Sequence, residues 1–207
     1  NDGFHRQIAI IPRLVATAQG MGTRVYCQRM TMADQTKLNC LKDRLRSLQR
    51  VIIAFSAGVD STFLLKVAVD TLGQKNVLAC TAVSPSLAQA ELQSVRDIAQ
   101  DLGVSLRLLE TREMDNPKYA ENSSRRCYFC KAELYAQLHA IAKETGVRHI
   151  LNGANRDDTG DYRPGMDAAR EYGVQSPLLD AGMTKADIRD FSRELGLPTW
   201  DKPALAC

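Results

Sequence analysis

The stretch Ser56-Ala57-Gly58-Val59-Asp60-Ser61 constrains this chain more than any other. The apolar run Val51-Ile52-Ile53-Ala54-Phe55 stands before it, and Thr62-Phe63-Leu64-Leu65-Lys66-Val67-Ala68 follows it. This reads as a buried strand, a tight turn of small and hydroxyl residues, and a helix start. A helix opened by such a turn presents unpaired backbone N–H groups to an anion. Gly58 lets the backbone approach a ligand closely, and the Ser56 and Ser61 hydroxyls can donate to phosphate oxygens. Asp60 is a carboxylate where phosphates would crowd, which makes sense with Mg²⁺ between them. The Gly-Lys-Ser/Thr ending of a Walker A loop is absent.

The alternation continues along the chain. Leu38, Leu41, Leu45 and Leu48 recur at helical spacing and predict an amphipathic helix over 34–49. Strands are expected at 51–55, 77–83, 104–109 and 147–151, with a short fifth at 174–179. Helices are expected at 61–72, 87–102, 130–145 and 184–195, closed by Gly73, Gly103, Gly146 and Gly196. Thr184 stands where an N-cap would. Such alternation implies an α/β fold, a parallel twisted sheet with helices on both faces. Ligands bind such sheets beyond the carboxyl ends of the strands. The turn at 56–61, the loop after Val83 and the polar loops 110–126 and 152–165 all open on that edge and should converge on one site.

Composition narrows the classes. The 207 residues suffice for one sizeable domain, or a domain plus part of another. A net charge of +3, with the signs interspersed, is too mild to argue for a nucleic-acid partner. No apolar run approaches membrane-spanning length. Six cysteines in an α/β pattern do not make a secreted disulfide scaffold, and a reducing cytoplasm suits them better. Residues 1–31 lack periodicity and are expected to be an extension outside the fold, with translation starting at Met30 or Met32. Residues 32–175 then form the nucleotide-binding domain, and 176–207 begin a further region.

Three more segments carry chemistry. In Asn152–Gly165, the residues Arg156, Asp157, Asp158, Asp161 and Arg163 lie close together after a strand. The carboxylates suit Mg²⁺ or a substrate and Arg163 suits a phosphate, although a plain solvated loop has the same composition. Arg125-Arg126-Cys127-Tyr128-Phe129-Cys130-Lys131 sets a C-x-x-C at a helix start. The helix dipole and flanking cations there favour thiolates, which bind metal or attack electrophiles; two thiols merely packing the helix start are the plainer reading. Trp200-Asp201-Lys202-Pro203-Ala204-Leu205-Ala206-Cys207 is a stiff loop ending in a cysteine. Cys127, Cys130 and Cys207 together give three thiolates, one short of a closed tetrahedral site. Cys27, Cys40 and Cys80 read as structural, and His5, His139 and His149 show no ligand spacing.

Taken together, residues from about Asp34 to Cys207 resemble the ATP-dependent sacrificial sulfur transferases of the LarE type, members of the PP-loop ATP pyrophosphatase superfamily. The resemblance rests on S-A-G-V-D-S, R-C-Y-F-C-K, N-G-A-N-R-D-D-T-G-D-Y-R-P-G, S-P-L at 176–178 and G-L-P-T-W-D-K-P-A-L-A-C. The first specifies only the superfamily; the D-D-x-x-D-x-R-P-G and W-D-K-P-x-x-x-C strings are far more specific. The family usually has two glycines where this chain has Ala57-Gly58. It also continues past this cysteine into a smaller region with substrate and oligomer contacts.

The resemblance implies an adenine nucleotide alpha hydrolase-like fold and a cytoplasmic enzyme, homo-oligomeric at full length, that uses ATP and Mg²⁺ on a small-molecule nucleotide substrate. A carboxylate of a pyridinium dicarboxylate mononucleotide would be adenylated with release of pyrophosphate, on the way to the nickel-pincer nucleotide of lactate racemase. By the same resemblance Ser56, Ala57, Gly58, Val59, Asp60, Ser61, Gly153 and Asn155 hold ATP, Asp60 through Mg²⁺, and Asp60 and Ser61 act in catalysis. Arg125, Asp158, Asp161 and Arg163 meet the substrate. Cys207 gives up its sulfur and becomes dehydroalanine, or joins Cys127 and Cys130 in holding a four-iron four-sulfur cluster. Other readings stay open. A tRNA-thiolating PP-loop enzyme shares the C-x-x-C plus a distant Cys, but needs a basic surface that +3 overall and an acidic 157–161 loop argue against. An NAD or GMP synthetase has no need of three cysteines, and a nucleotide-binding module without turnover would bind ATP but release no pyrophosphate.

Overall fold

A computed structural model describes residues 32–84, 87–111, 125–160 and 164–203. These all belong to the unit Thr31–Cys207. The strands are β1 (Val51–Ala54), β2 (Val77–Val83), β3 (Ser105–Glu110) and β4 (His149–Leu151). They form one parallel sheet in the order β3-β2-β1-β4, with Val51 opposite Val77 on one side and His149 on the other. Chain order therefore reverses direction at β1, which leaves a crevice between the carboxyl ends of β1 and β4.

The alternating faces of the strands explain the two layers. Val51, Ile53, Val77, Ala79 and Leu151 join a core with α1 (Met32–Leu48), α2 (Val59–Leu72) and α3 (Gln89–Asp101). Ile52, Cys80 and Ile150 point the other way, into a core with α4 (Arg126–Thr145) and α5 (Pro164–Glu171). Because β1 is covered on both faces, Val51, Ile52 and Ile53 are all fully buried, so its sequence is a continuous apolar run. Cys80 is likewise fully buried, and burial pushes its thiol up to about 12. Gly146 ends α4 at φ +69°, a left-handed conformation that glycine adopts without a Cβ penalty.

After β4 the chain makes the short helical turn α6 (Pro177–Asp180) and then α7 (Lys185–Glu194). Leu178, Met183, Ile188, Phe191 and Leu197 from this stretch enter the first core. The expected fifth strand at 174–179 is corrected here. Only Gln175 bridges to Leu151, and Pro177 opens α6 instead. Proline has no N–H for a ladder but suits the first turn of a helix. The C-x-x-C helix starts earlier than its apolar spacing suggests, at Arg126. Among the described residues no helix is long and apolar enough to cross a membrane. The extension expected at 1–31, most of the 110–126 loop, Asp161, Arg163 and Cys207 lie outside the described residues.

Candidate active site

The turn after β1 is held by its own small side chains. Ala57 is fully buried at φ +53°, a left-handed conformation costing an L-residue about 1–2 kcal/mol. Gly58 is the N-cap of α2, with φ −81° and ψ 169°, and no side chain caps the helix there. The Ser56 amide donates to Ser61 Oγ at 3.3 Å, and the two serine hydroxyls lie 3.1 Å apart. Ser61 Oγ also donates to the Gly58 carbonyl at 3.3 Å. The start of α2 thus keeps its backbone donors clear of a cap, with two hydroxyls alongside, as an anion site requires.

Gly153, at the end of β4, meets this turn closely. A Cβ there would lie 3.0 Å from the Ser61 nitrogen and 3.2 Å from the Asp60 carbonyl carbon. Both are backbone atoms with little room to yield, so a side chain here would push α2 and the chain after β4 apart. Gly153 shapes the crevice by having no side chain.

Asp60, in the first turn of α2, is the electrostatic centre. Its Oδ2 accepts a short hydrogen bond from Lys185 Nζ, at the start of α7. Its Oδ1 is buried and accepts none. Burial raises the Asp60 carboxyl above its ordinary value and Asp158 adds to this, while Lys185 and the nearby Asn155 side chain oppose it. A buried carboxylate oxygen without a partner calls for an explanation, and a hard cation such as Mg²⁺ fits it.

The acidic loop is more ordered than its composition suggests. Arg156–Thr159 forms a short 3-10 turn whose cap, Asn155, accepts from the Asp157 amide at 2.9 Å. Asp158 Oδ2 accepts from the Asn155 amide at 2.9 Å, and Asp157 Oδ2 accepts from the Lys185 amide at 2.8 Å. The Asn-x-x-Asp spacing is a capping-box signature that sequence inspection can find. Asn152, also buried, accepts from Ser176 Oγ at 2.8 Å and from the Ala154 amide at 3.1 Å.

At the start of α4, Cys127 and Cys130 are half-buried cysteines, three residues apart in the helix. A helix that follows a parallel strand starts at that strand's carboxyl edge, so the pair stands on the edge where the crevice opens. Arg125 caps α4 by position, with its guanidinium 4.8 Å from the Tyr128 ring centre and 6.0 Å from that of Phe129. Among the described residues no three His, Cys, Asp or Glu side chains are grouped to hold a metal. A cluster would therefore have two of its three expected ligands here, one helical turn apart.

Lys185 and Arg189 escaped the sequence reading, which took Lys202 only as part of the stiff loop 200–207. Lys185 reaches Asp60, Lys202 Nζ donates to the Ala57 carbonyl at 3.2 Å, and Arg189 donates to the Trp200 and Lys202 carbonyls at 2.8 Å each. Lys185 and Lys202 lie 125 and 145 residues from their partners, a separation no local pattern encodes.

A parallel sheet with a capless helix start at its switch point is a nucleotide-binding type of α/β fold, here of the adenine nucleotide alpha hydrolase-like kind. NMN synthetase from Francisella tularensis has this fold at a TM-score of 0.64 and 16% identity, covering 83% of this chain and 74% of its own. Residues 30–162 match the PP-loop domain family, and the chain belongs to that family. An uncharacterized protein of Synechocystis sp. is 47% identical over 84% of this chain and 64% of its own length. The pyridinium-3,5-bisthiocarboxylic acid mononucleotide synthase of Lactiplantibacillus plantarum is 37% identical over 82% of this chain and 61% of its own. The resemblance read from the motifs is thereby borne out, while the chain spans less than two thirds of either relative.

Proposed function

We propose that this chain is the adenylating part of an ATP-dependent sulfur transferase acting on a pyridinium dicarboxylate mononucleotide, in synthesis of the nickel-pincer nucleotide. The observation that carries the reading is Asp60 Oδ1, buried without a partner beside a phosphate-type turn, in a chain 37% identical to the L. plantarum synthase. Residues 32–175 do the adenylation, 176–207 begin the sulfur-transfer region, and 1–31 are an extension. The turn at 56–61, with Gly153 and Asn155, takes the triphosphate, and Asp60 would hold a Mg²⁺ that would neutralise phosphate charge. Arg125, Asp158, Asp161 and Arg163 orient the substrate.

A substrate carboxylate oxygen attacks the α-phosphorus of ATP, the Pα–O–Pβ bond breaks, and pyrophosphate leaves. The Cys207 thiolate then attacks the acyl carbon and displaces AMP, leaving a thioester. Loss of the Cys207 Cα proton to a base and cleavage of its Cβ–S bond leave a thiocarboxylate on the substrate and dehydroalanine in the chain. Cys127 and Cys130, with Cys207, are the residues that would hold a four-iron four-sulfur cluster, which supplies a replaceable sulfide when bound. The enzyme works in the cytoplasm as a homo-oligomer.

The test is an intact mass of the full-length protein after incubation with ATP, Mg²⁺ and the mononucleotide. Release of AMP and pyrophosphate with loss of one H₂S at Cys207 is expected. Pyrophosphate release with an unchanged chain and an iron- and sulfide-bearing protein selects the cluster route. ATP binding with no pyrophosphate rejects the enzyme reading.

A further inference from the structure

The segment that leads to Cys207 is fastened to the nucleotide turn by contacts that involve two arginines outside every motif above. α7 presents Arg189 and Arg193 one turn apart to it. Arg189 Nη1 donates to the Trp200 carbonyl and Nη2 to the Lys202 carbonyl, both at 2.8 Å. The Arg193 guanidinium lies 5.6 Å from the centre of the Trp200 ring. Lys202 then sends its ammonium to the Ala57 carbonyl at 3.2 Å.

The base of this clamp is rigid. Thr184 and Asp187 cap α7 reciprocally, Ile188 and Phe191 are buried, and Phe191 stacks on Phe63 of α2 with ring centres 5.8 Å apart. A planar guanidinium donating to two carbonyls two residues apart fixes the backbone between them more firmly than a point charge would.

We propose that Arg189 is a positioning residue for sulfur delivery. It holds residues 200–202 against the nucleotide turn and so sets the point from which Cys207 reaches the acyl carbon. The inference rests on the reading of Cys207 as the sulfur-giving residue. Cys207 follows Lys202 by five positions, an extended reach of at most about 18 Å. With Lys202 anchored, that chain length bounds the distance from the turn to the thiol; without the clamp the bound is lost and its effective concentration falls. Arg189 itself donates to the carbonyls of residues 200 and 202 and not to the residues proposed to hold ATP, so its loss should touch adenylation least.

The test compares full-length wild type, Arg189→Met and Arg189→Lys for pyrophosphate released and for thiocarboxylate formed per pyrophosphate. In Arg189→Met that ratio should fall about tenfold, with pyrophosphate release within about twofold of wild type and Arg189→Lys between the two. An unchanged ratio overturns the inference, as does pyrophosphate release that falls while the ratio holds, the mark of a merely structural residue. If Arg189→Met does not accumulate folded, Arg189→Lys decides by the same ratio. Wild type that releases pyrophosphate yet forms no thiocarboxylate overturns the sulfur-transfer reading as well, and is thereby told apart from failure of the clamp alone.

Discussion

Two helix starts in this chain use the same parts in opposite ways. α7 opens with Thr184, whose hydroxyl accepts from the Asp187 amide at 3.2 Å while Asp187 Oδ2 accepts from the Thr184 amide at 2.8 Å. Lys37 adds an ion pair to the same carboxylate at 2.6 Å. Burial pushes Asp187 up, but Lys37 and Thr184 outweigh it and hold the carboxyl below its ordinary value. α2 opens with Gly58, which has no side chain to cap with, and Asp60 keeps one oxygen without a partner. Here burial outweighs Lys185, and the carboxyl rises. A helix start that satisfies its own backbone is a joint. One left open at the switch point of a sheet is a place for a ligand.

The strongest test of this contrast is Asp60→Ala. It should lower ATP-to-AMP cleavage at least about a hundredfold, measured as pyrophosphate release. Unchanged release would make the two helix starts equivalent. Next, Gly153→Ala should cost about 1–3 kcal/mol in urea unfolding and weaken ATP binding in a titration, since the new methyl meets backbone rather than a movable side chain. Thr184→Ala should cost about 1 kcal/mol and leave pyrophosphate release per folded chain unaltered. A loss of turnover there would mean that the closed joint also serves the chemistry.

The smallest effect depends on pH. The raised Asp60 carboxyl binds its proton more tightly folded than unfolded, so it costs stability at pH 7, and the cost fades as pH falls through the folded value toward the ordinary 3.8. The Asp187 contribution has the opposite sign: it is present above 3.8 and lost as pH falls through its lowered value. Asp60→Asn should therefore exceed wild type slightly at pH 7, with Lys185 free to turn to water, and lose that margin in acid. Asp187→Asn should be less stable than wild type at pH 7 and converge with it in acid. Urea unfolding at several pH values reads both, and parallel curves would remove the distinction.

Much of the scaffold was legible because it is local. The spacing of Leu38, Leu41, Leu45 and Leu48 and the runs at 51–55 and 77–83 carry their own periods, and Gly73 and Gly146 end helices where expected. The turn at 56–61 was legible because small residues between a strand and a helix leave few alternatives. Val174–Leu179 misled because a short apolar run does not separate strand from helix, and Pro177 tips it toward helix. In the acidic loop, counting charges hid the fact that Asp157 and Asp158 are engaged by backbone amides. Lys185 and Arg189, and the partner of Lys202, were invisible because tertiary folding, not spacing, brings these cations to their partners.

Cys80 offers a different use of the same sheet. Its thiol is fully buried in β2 and pushed up to about 12, so near neutrality almost none of it is thiolate and reagents are kept away. Iodoacetamide should spare it while the strands hold together and consume it when they part. Exposed Cys40 would report the arrival of the reagent. The delay between the two labels would then count global openings of the protein, an internal clock that needs no engineered probe.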